Sequence, residues 1–205
     1  MKQASMVGQL MSSCGRWVFP SLFGFLLTGC VAMKSYVDPQ YRSATYMNLA
    51  PAKEPKPVVV DVSFQMNGKE DKRLRQLARS RVTKVLRGSR LFYEPDTQNI
   101  QAGKLNIVIN NVGNIGAAVG KGIATGLTLG LVGSEVVDGY EMRAVYTPAE
   151  GSPLTKNYKH AIHSIVGLHS APAGMEPVAI QVAFEQVVED MLLNFLRDLQ
   201  RENAL

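Results

Sequence analysis

The glycine-rich stretch 113–133, GNIGAAVGKGIATGLTLGLVG, constrains the fold of this chain more than any other feature. It contains one charged residue, Lys121, and its glycines recur at spacings of about four residues. Each glycine costs about 0.8–1 kcal/mol relative to alanine in a helix exposed to water. A lone helix over these residues would melt in water, so the stretch either has an apolar environment or is not helical.

A helix over residues 115–133 would be strongly one-sided. Its large aliphatic side chains and its glycines share one face, whereas Lys121, Thr125 and Thr128 share the opposite face. Its length would be roughly 29 Å, close to the hydrocarbon thickness of a bilayer. Glycines four apart let helices approach closely in a membrane. The pattern predicts a helix or hairpin that inserts into the membrane or packs copies of the protein together, through Gly116, Gly120, Gly122, Gly126 and Gly130.

Two other interpretations of the stretch stay open, and one is excluded. The glycines could form a hinge or flexible loop, or they could pack inside the core. A nucleotide cofactor is not expected, because a phosphate-binding loop needs four residues between its glycines and Ser or Thr after its lysine. Here three residues separate Gly116 from Gly120, and Gly122 follows Lys121. The sequence indicates no other cofactor.

The N-terminus has the pattern of an export signal. Residues 1–29 contain Lys2 and Arg16 but no acidic residue, and an apolar run over 17–27 is too short to span a bilayer. The run ends in Leu27-Thr28-Gly29-Cys30, which resembles the lipobox of bacterial lipoproteins. In that family the signal peptide is cleaved before the cysteine, which is then acylated. The sequence leaves open whether translation starts at Met1, Met6 or Met11.

This resemblance implies a lipoprotein held in the membrane through acyl chains, such as palmitate, on Cys30. Cys14 would leave with the signal peptide, so the mature chain would hold no disulfide. Val31 is not the aspartate that retains lipoproteins in the inner membrane of enteric bacteria. The resemblance therefore implies the outer membrane, on its periplasmic or its surface side.

The mature part, residues 30–205, is long enough for one domain. Of 22 basic residues Lys2 and Arg16 are lost with the signal, which leaves a small excess over 17 acidic residues. Such a balance does not indicate a nucleic-acid partner. Prolines at 39, 51, 55 and 57 predict a semi-rigid tether over 30–57, on which Tyr36, Tyr41 and Tyr46 are expected to dock against the domain.

The pattern from residue 58 onward predicts an α+β domain over 58–205. Apolar periodicity indicates strands at 58–65, 91–93, 104–110, 140–147 and 154–166, and helices at 69–87 and from Pro177 onward. The economical packing is a mostly antiparallel sheet with two helices on one face, interrupted by the Gly-rich apolar insertion 113–133.

Several segments together resemble one lipoprotein family. The acylated cysteine, GAAVGKGIATG, LGLVG and the strand DGYEMRAVY are similar to TraT-type lipoproteins. The resemblance implies an outer-membrane protein that forms surface oligomers and serves in surface exclusion during conjugation and in complement resistance. The apolar segment is about one membrane pass long, where that family has room for two.

No side chains are spaced as in a catalytic or metal centre, so we expect no enzyme and no bound metal. His160 and His163 would point to opposite faces of a strand. The basic residues of the helix over 69–87 could bind anionic headgroups or lipopolysaccharide, although a solvated face is the simpler interpretation.

Two functions therefore remain open. The first is a lipid-anchored, self-assembling outer-membrane lipoprotein with a role at the cell surface or envelope. The second is a periplasm-facing accessory lipoprotein that docks on an export, pilus or flagellar machine. Antibody labelling of the folded domain on intact cells would distinguish a surface protein from a periplasmic one.

Overall fold

The computed structural model describes residues 33–96, 101–113, 134–166, 170 and 173–205. All of them lie in one unit, Val31–Leu205. Its strands are β1 Met33–Val37, β2 Lys56–Met66, β3 Lys69–Glu70, β4 Phe92–Tyr93, β5 Gly103–Gly113, β6 Ser134–Thr147 and β7 Leu154–Val166. Its α-helices are α1 Lys72–Ser89 and α2 Ile180–Arg201. Two short 3₁₀ turns, Pro39–Tyr41 and Tyr46–Asn48, follow β1.

The described strands form one mixed sheet in the order β1-β7-β6-β5-β2-β3, and β4 pairs with the start of β2. All neighbours are antiparallel except β2 with β5 and β2 with β4. Both helices pack against the same face of the sheet and against each other. The predicted α+β class, with a mostly antiparallel sheet and helices against it, is confirmed.

Alternate residues of the strands point into the core. Along β2, Val58, Val60, Val62 and Phe64 are buried, while Val59 and Asp61 between them are exposed. The helices bury their own apolar sides over this face, and Phe64 meets Phe184 of α2 edge to face with ring centroids 5.6 Å apart. This arrangement places β1 and β7 under α2, and β2 under α1.

Local signals fix the ends of these elements. Asn67 and Gly68 both have positive φ, which suits the tight turn between β2 and β3. The Asp71 side chain accepts hydrogen bonds from the backbone N–H groups of Arg73 and Leu74 and so caps α1. Gly88 does not end α1 as its type suggests, because the helix continues to Ser89. A Cβ at Gly88 would lie 3.1 Å from the Tyr46 ring, so any larger residue there would require the ring to shift.

A tether was predicted over 30–57, but the described residues 33–50 are part of the folded domain. Met33–Val37 is a paired strand, with Tyr36 opposite His163 of β7. Tyr36 and Ala44 are buried. Pro39 starts a 3₁₀ turn instead of extending the chain. Pairing with β7 and burial of apolar side chains therefore outweigh any extended preference at Pro39, and this segment belongs to the domain.

Candidate functional site

The pairing register of the strands brings the ends of several strands together at one end of the sheet. Met33 of β1 and Ser134 of β6 both pair with Val166 of β7, and Gly113 of β5 pairs with Asp138. We call this the insertion end, defined by Met33, Gly113, Ser134 and Val166. The chain arrives there from Cys30, and it leaves and re-enters the sheet there around residues 114–133. β1, β6 and β7 extend about 13 Å beyond Gly113, four residues at roughly 3.3 Å each.

The first turn of α2 lies beside the start of β1 at this end. Val178 and Ser35 exchange backbone hydrogen bonds, with N···O distances of 2.8 and 3.4 Å. Because this bridge is antiparallel, the chain after Val178 runs toward the level of Met33 before α2 turns back across the sheet. Ile180 and Val182, in the first turn of α2, are each more than two-fifths exposed.

Exposed apolar side chains occur on both faces of the sheet at the insertion end. Met33 is 53% exposed and Ile180 43% exposed on the helix side. On the other side, Val112 and Val137 are almost half exposed. Apolar side chains of this size gain by leaving water, so this end can be covered by an apolar or interfacial partner.

At the insertion end, a histidine lies between two carboxylates. The Nδ1 atom of His163 lies 2.6 Å from Oε1 of Glu135 in β6, and its Nε2 atom lies 3.4 Å from Oδ2 of Asp38. Asp38 also accepts hydrogen bonds from the backbone and side chain of Gln40. The cluster links the turn after β1 to β6 and β7, which is a structural role.

A second polar network, under α2, holds the N-terminal segment. The fully buried ring of His160 places Nε2 3.2 Å from Oδ2 of Asp190, and Arg42 donates to Oδ1 of Asp190 at 3.0 Å. Nε2 of His160 donates to the Asp190 carboxylate, and Nδ1 lies 2.9 Å from the backbone nitrogen and 3.3 Å from the carbonyl oxygen of Ala161. The ring of Tyr41 packs on His160 at 5.3 Å.

Further contacts extend this network along α2. Ser43 donates to Asn194 at 2.7 Å, and Arg197 donates to the backbone carbonyl of Ser43 at 2.7 Å. Ala50 and Gln200 exchange hydrogen bonds between the backbone of one and the side-chain amide of the other. Residues 41–50 are thus attached to α2 over about half its length.

The predicted site residues are placed as follows. Cys30 and the packing glycines lie outside the described residues, as does His169; these glycines are Gly116, Gly120, Gly122, Gly126 and Gly130. His160 and His163 project to opposite faces of β7, as predicted, and each faces carboxylate groups. Within the described ranges, no group of three or more His, Cys, Asp or Glu is placed to hold a metal ion.

Three arginines of α1 bond to other parts of the protein. Arg75 and Arg79 donate to the carbonyl oxygens of Val62 and Val60, along the edge of β2 that β5 leaves free. Arg81 bonds to Glu185 and Glu189 of α2. These three guanidinium groups therefore stabilise the fold, whereas Lys72, Lys84 and Arg87 of the same helix are exposed.

Sequence reasoning missed Asp190, Asn194 and Arg42. Asp190 and Asn194 are polar residues one turn apart within the apolar side of α2, and both are buried. That interruption is a signal, because a buried carboxylate requires a partner. The partner, Arg42, could not be identified from the sequence, since it lies 148 positions away.

Comparison with known proteins finds similarity among solved structures only. No family model matches the chain, and no curated protein matches it. Among solved structures, the chain is similar to a dodecamer of a PelC variant from Paraburkholderia phytofirmans, with a TM-score of 0.37 and 14% sequence identity. The alignment covers 81% of this chain and 98% of that chain. Among the described helices, none combines the length and the apolar character needed to cross a bilayer.

Proposed function

We propose that this protein is a lipid-anchored, self-assembling lipoprotein of the bacterial outer membrane with a role at the cell envelope or surface, similar to TraT-type proteins. The observation that carries the proposal is the tetrapeptide Leu27-Thr28-Gly29-Cys30 directly after a short apolar run. Cleavage before Cys30 and acylation of its sulfur and amino group give an anchor of several acyl chains. One chain binds a membrane only marginally, whereas several hold it stably.

The start of the folded domain supports this anchor. β1 begins at Met33, three residues after Cys30. A fully extended chain covers about 3.3–3.6 Å per residue, so the Cα atom of Cys30 can lie no more than about 11 Å from that of Met33. A lipoprotein with so short a connection holds its domain directly at the membrane surface.

The strand register supports a second contact with the membrane. Gly113 and Ser134, the described residues that flank the apolar stretch, lie at the same end of the sheet as Met33. The stretch therefore finishes at the level of Met33 and starts about 13 Å short of that level, four residues at roughly 3.3 Å each. A single helix with a lysine near its middle would insert poorly, and packing of copies through Gly122, Gly126 and Gly130 would make insertion favourable.

Gly126→Leu tests self-assembly. Leucine adds apolar area, which favours insertion, but it prevents the close approach of helix backbones. We expect cross-linking or native mass spectrometry in mild detergent to show an oligomer for the wild type and a folded monomer for Gly126→Leu.

Thr128→Leu is the matched control, because it adds a similar side chain on the predicted opposite face of the same helix. It should retain the wild-type oligomer. A monomeric wild type in native membranes, or an unchanged oligomer in Gly126→Leu, would contradict the packing proposal and favour the hinge interpretation.

A further inference from the structure

We propose that the C-terminal half of α1 carries a binding site for a phosphate monoester, formed by Ser80, Thr83, Lys84 and Arg87. We call these four residues the α1 donor cluster. All four belong to the described part of the helix, so the site depends neither on acylation of Cys30 nor on self-assembly.

The positive charge of the chain is concentrated on α1. The helix holds seven of the 22 basic residues and none of the 17 acidic ones. Removing these seven leaves 15 basic side chains against 17 acidic ones in the rest of the chain. A surface with charge of one sign attracts ligands of the opposite sign, so α1 is the part of the chain best suited to an anionic ligand.

Two of the basic residues of α1 are not used by the fold. Arg75, Arg79 and Arg81 bond to other elements, whereas Lys84 and Arg87 are exposed and form no ion pair within the described residues. They lie three positions apart, where like charges destabilise a helix. Arg87 is in the last turn and complements the helix dipole there, but Lys84 precedes that turn. The dipole therefore does not account for the pair.

Two hydroxyl groups lie next to these charges. Positions 80, 83, 84 and 87 recur at intervals of three and four residues, so their side chains project from one side of α1, and they line one shallow, open depression. Among the described residues, no side chain or carbonyl group bonds to the hydroxyl of Ser80 or Thr83. The cluster therefore presents two hydroxyl donors beside an ammonium and a guanidinium group.

Glu94, an acidic residue next to the cluster, is already paired. It lies near Thr83 and Arg87, but its carboxylate accepts a hydrogen bond from Arg79 at 2.8 Å. The helix itself contributes no carboxylate. An anion in the depression therefore meets little repulsion from the protein.

The charges and donors of the cluster identify the class of ligand. A phosphate monoester carries a charge of about −1.5 to −2 near neutral pH and three acceptor oxygens. Lys84 and Arg87 balance this charge, and the hydroxyl groups and the guanidinium can donate to the oxygens. A phosphodiester is a monoanion and would leave one of the two cations unbalanced. None of the four side chains is a large apolar one, which insertion among lipids requires.

Matched small ligands can test the site on the full chain, purified in mild detergent. Isothermal titration calorimetry compares methyl phosphate, a monoester, with dimethyl phosphate, a diester. We expect methyl phosphate to bind one chain saturably and more tightly than dimethyl phosphate. Replacing both cations, in Lys84→Gln/Arg87→Gln, should raise the Kd for methyl phosphate about tenfold or more, because charge-assisted hydrogen bonds are lost.

Lys72→Gln/Arg73→Gln is the matched control, since it removes the same charge from the first turn of the same helix. Lys72 lies about 18 Å along the helix from Lys84, beyond the screening length of about 8 Å at physiological salt. The control should therefore leave the Kd within about twofold of the wild-type value.

Ser80→Ala/Thr83→Val tests the hydroxyl groups without changing the charge. It should raise the Kd about fivefold, because two neutral hydrogen bonds to the ligand are lost. Short-chain phosphatidic acid in the same detergent compares a monoester on a lipid with the soluble one. The site requires that binding of both ligands weakens in Lys84→Gln/Arg87→Gln.

Three results would overturn the site. They are absence of methyl phosphate binding to the wild type, equal losses in the two double glutamine variants, and equal affinity for methyl and dimethyl phosphate. The second result would mean general attraction to a basic helix. None of these results involves palmitate on Cys30 or the oligomeric state, so failure of the site leaves the proposed function intact.

Discussion

At the scale of single residues, the environment at the insertion end changes the pKa of Asp138. Its carboxyl group is half-buried beside Gly113, where an added Cβ would lie 3.1 Å from Oδ1 of Asp138. Burial raises the pKa of Asp138 above its ordinary value of 3.8. Burial of the phenol, together with the charge of the same carboxylate, raises the pKa of Tyr140. A negative charge at this position therefore opposes folding.

Asp138→Asn should increase stability at neutral pH. A carboxyl whose pKa is higher in the folded than in the unfolded state stabilises the protein at acid pH, and this contribution is lost as the pH rises through the raised value. We expect the variant to unfold at a higher temperature than wild type at pH 7, and the difference to disappear near the ordinary pKa of 3.8. Thermal unfolding followed by circular dichroism measures this.

Asp96→Asn is the control for that measurement, since Asp96 is exposed. It should change the unfolding temperature little at either pH. A wild type that is more stable than Asp138→Asn at pH 7 would show that the Asp138 carboxylate makes a favourable interaction that outweighs its burial.

Residue chemistry was predictable where it depends on local sequence. The motif before Cys30 needs only neighbouring residues, and the opposite orientations of His160 and His163 follow from strand alternation. The partners of these histidines were not predictable. Asp190 and Asp38 reach them only because α2 crosses β7 and because β1 pairs with β7.

At the scale of elements, the segment 33–50 shows how tertiary contacts override local preference. It belongs to the proline-containing stretch from which an extended tether was predicted, yet it forms a strand and two 3₁₀ turns. Arg42, Ser43 and Ala50 bond to α2, a helix more than a hundred residues later. Such distant partners cannot be identified from the sequence. The predicted tether is therefore wrong for this segment, whereas Tyr36, Tyr41 and Tyr46 dock against the domain as predicted.

Arg42→Ala should loosen this segment without unfolding the domain. The substitution removes one partner of Asp190, whose side chain is 5% exposed, while His160 still donates to it. The Arg42 side chain is half-exposed, so solvent screens the pair and we expect a cost of about 1 kcal/mol. Hydrogen exchange should become faster over residues 36–50 and stay unchanged in β5.

Arg73→Ala provides the comparison, because the Arg73 side chain is 93% exposed and lies outside the network. It should leave exchange in residues 36–50 at the wild-type rate. Unchanged protection of that segment in Arg42→Ala would show that strand pairing and the burial of Tyr36 hold it without help from Asp190.

The edges of the sheet are also closed by elements that the sequence did not reveal. Arg75 and Arg79 bond to carbonyl groups of β2, and Val178 bonds to Ser35 on the free side of β1. Open strand edges invite pairing with other chains. Self-assembly by extension of the sheet is disfavoured at both edges, and this agrees with a proposal that assigns packing to another segment.

At the scale of the whole molecule, the fold class was predictable and the strand order was not. Apolar periodicity located the helices and most of the strands. The parallel pairing of β2 with β5, and the position of β7 between β1 and β6, depend on contacts between distant segments. This order matters for function, because it brings Met33, Gly113, Ser134 and Val166 to one end of the sheet.

The proposed account of the whole molecule depends on the lipid at Cys30. If Cys30 is acylated, the short connection to Met33 fixes the insertion end at the membrane, and the apolar stretch begins and ends close to it. If Cys30 is not acylated, nothing fixes that end, and the exposed apolar residues there need another partner. The chain offers a matched control, since Cys14 is its only other cysteine and lies in the predicted signal peptide.

The most direct measurement is incorporation of labelled palmitate into wild type, Cys30→Ala and Cys14→Ala, combined with separation of membrane and soluble fractions. We expect labelled, membrane-bound protein for wild type and Cys14→Ala. For Cys30→Ala we expect unlabelled protein, released from the membrane or retained as an unprocessed precursor. Palmitate incorporation in Cys30→Ala, or an unlabelled wild type, would contradict the central claim.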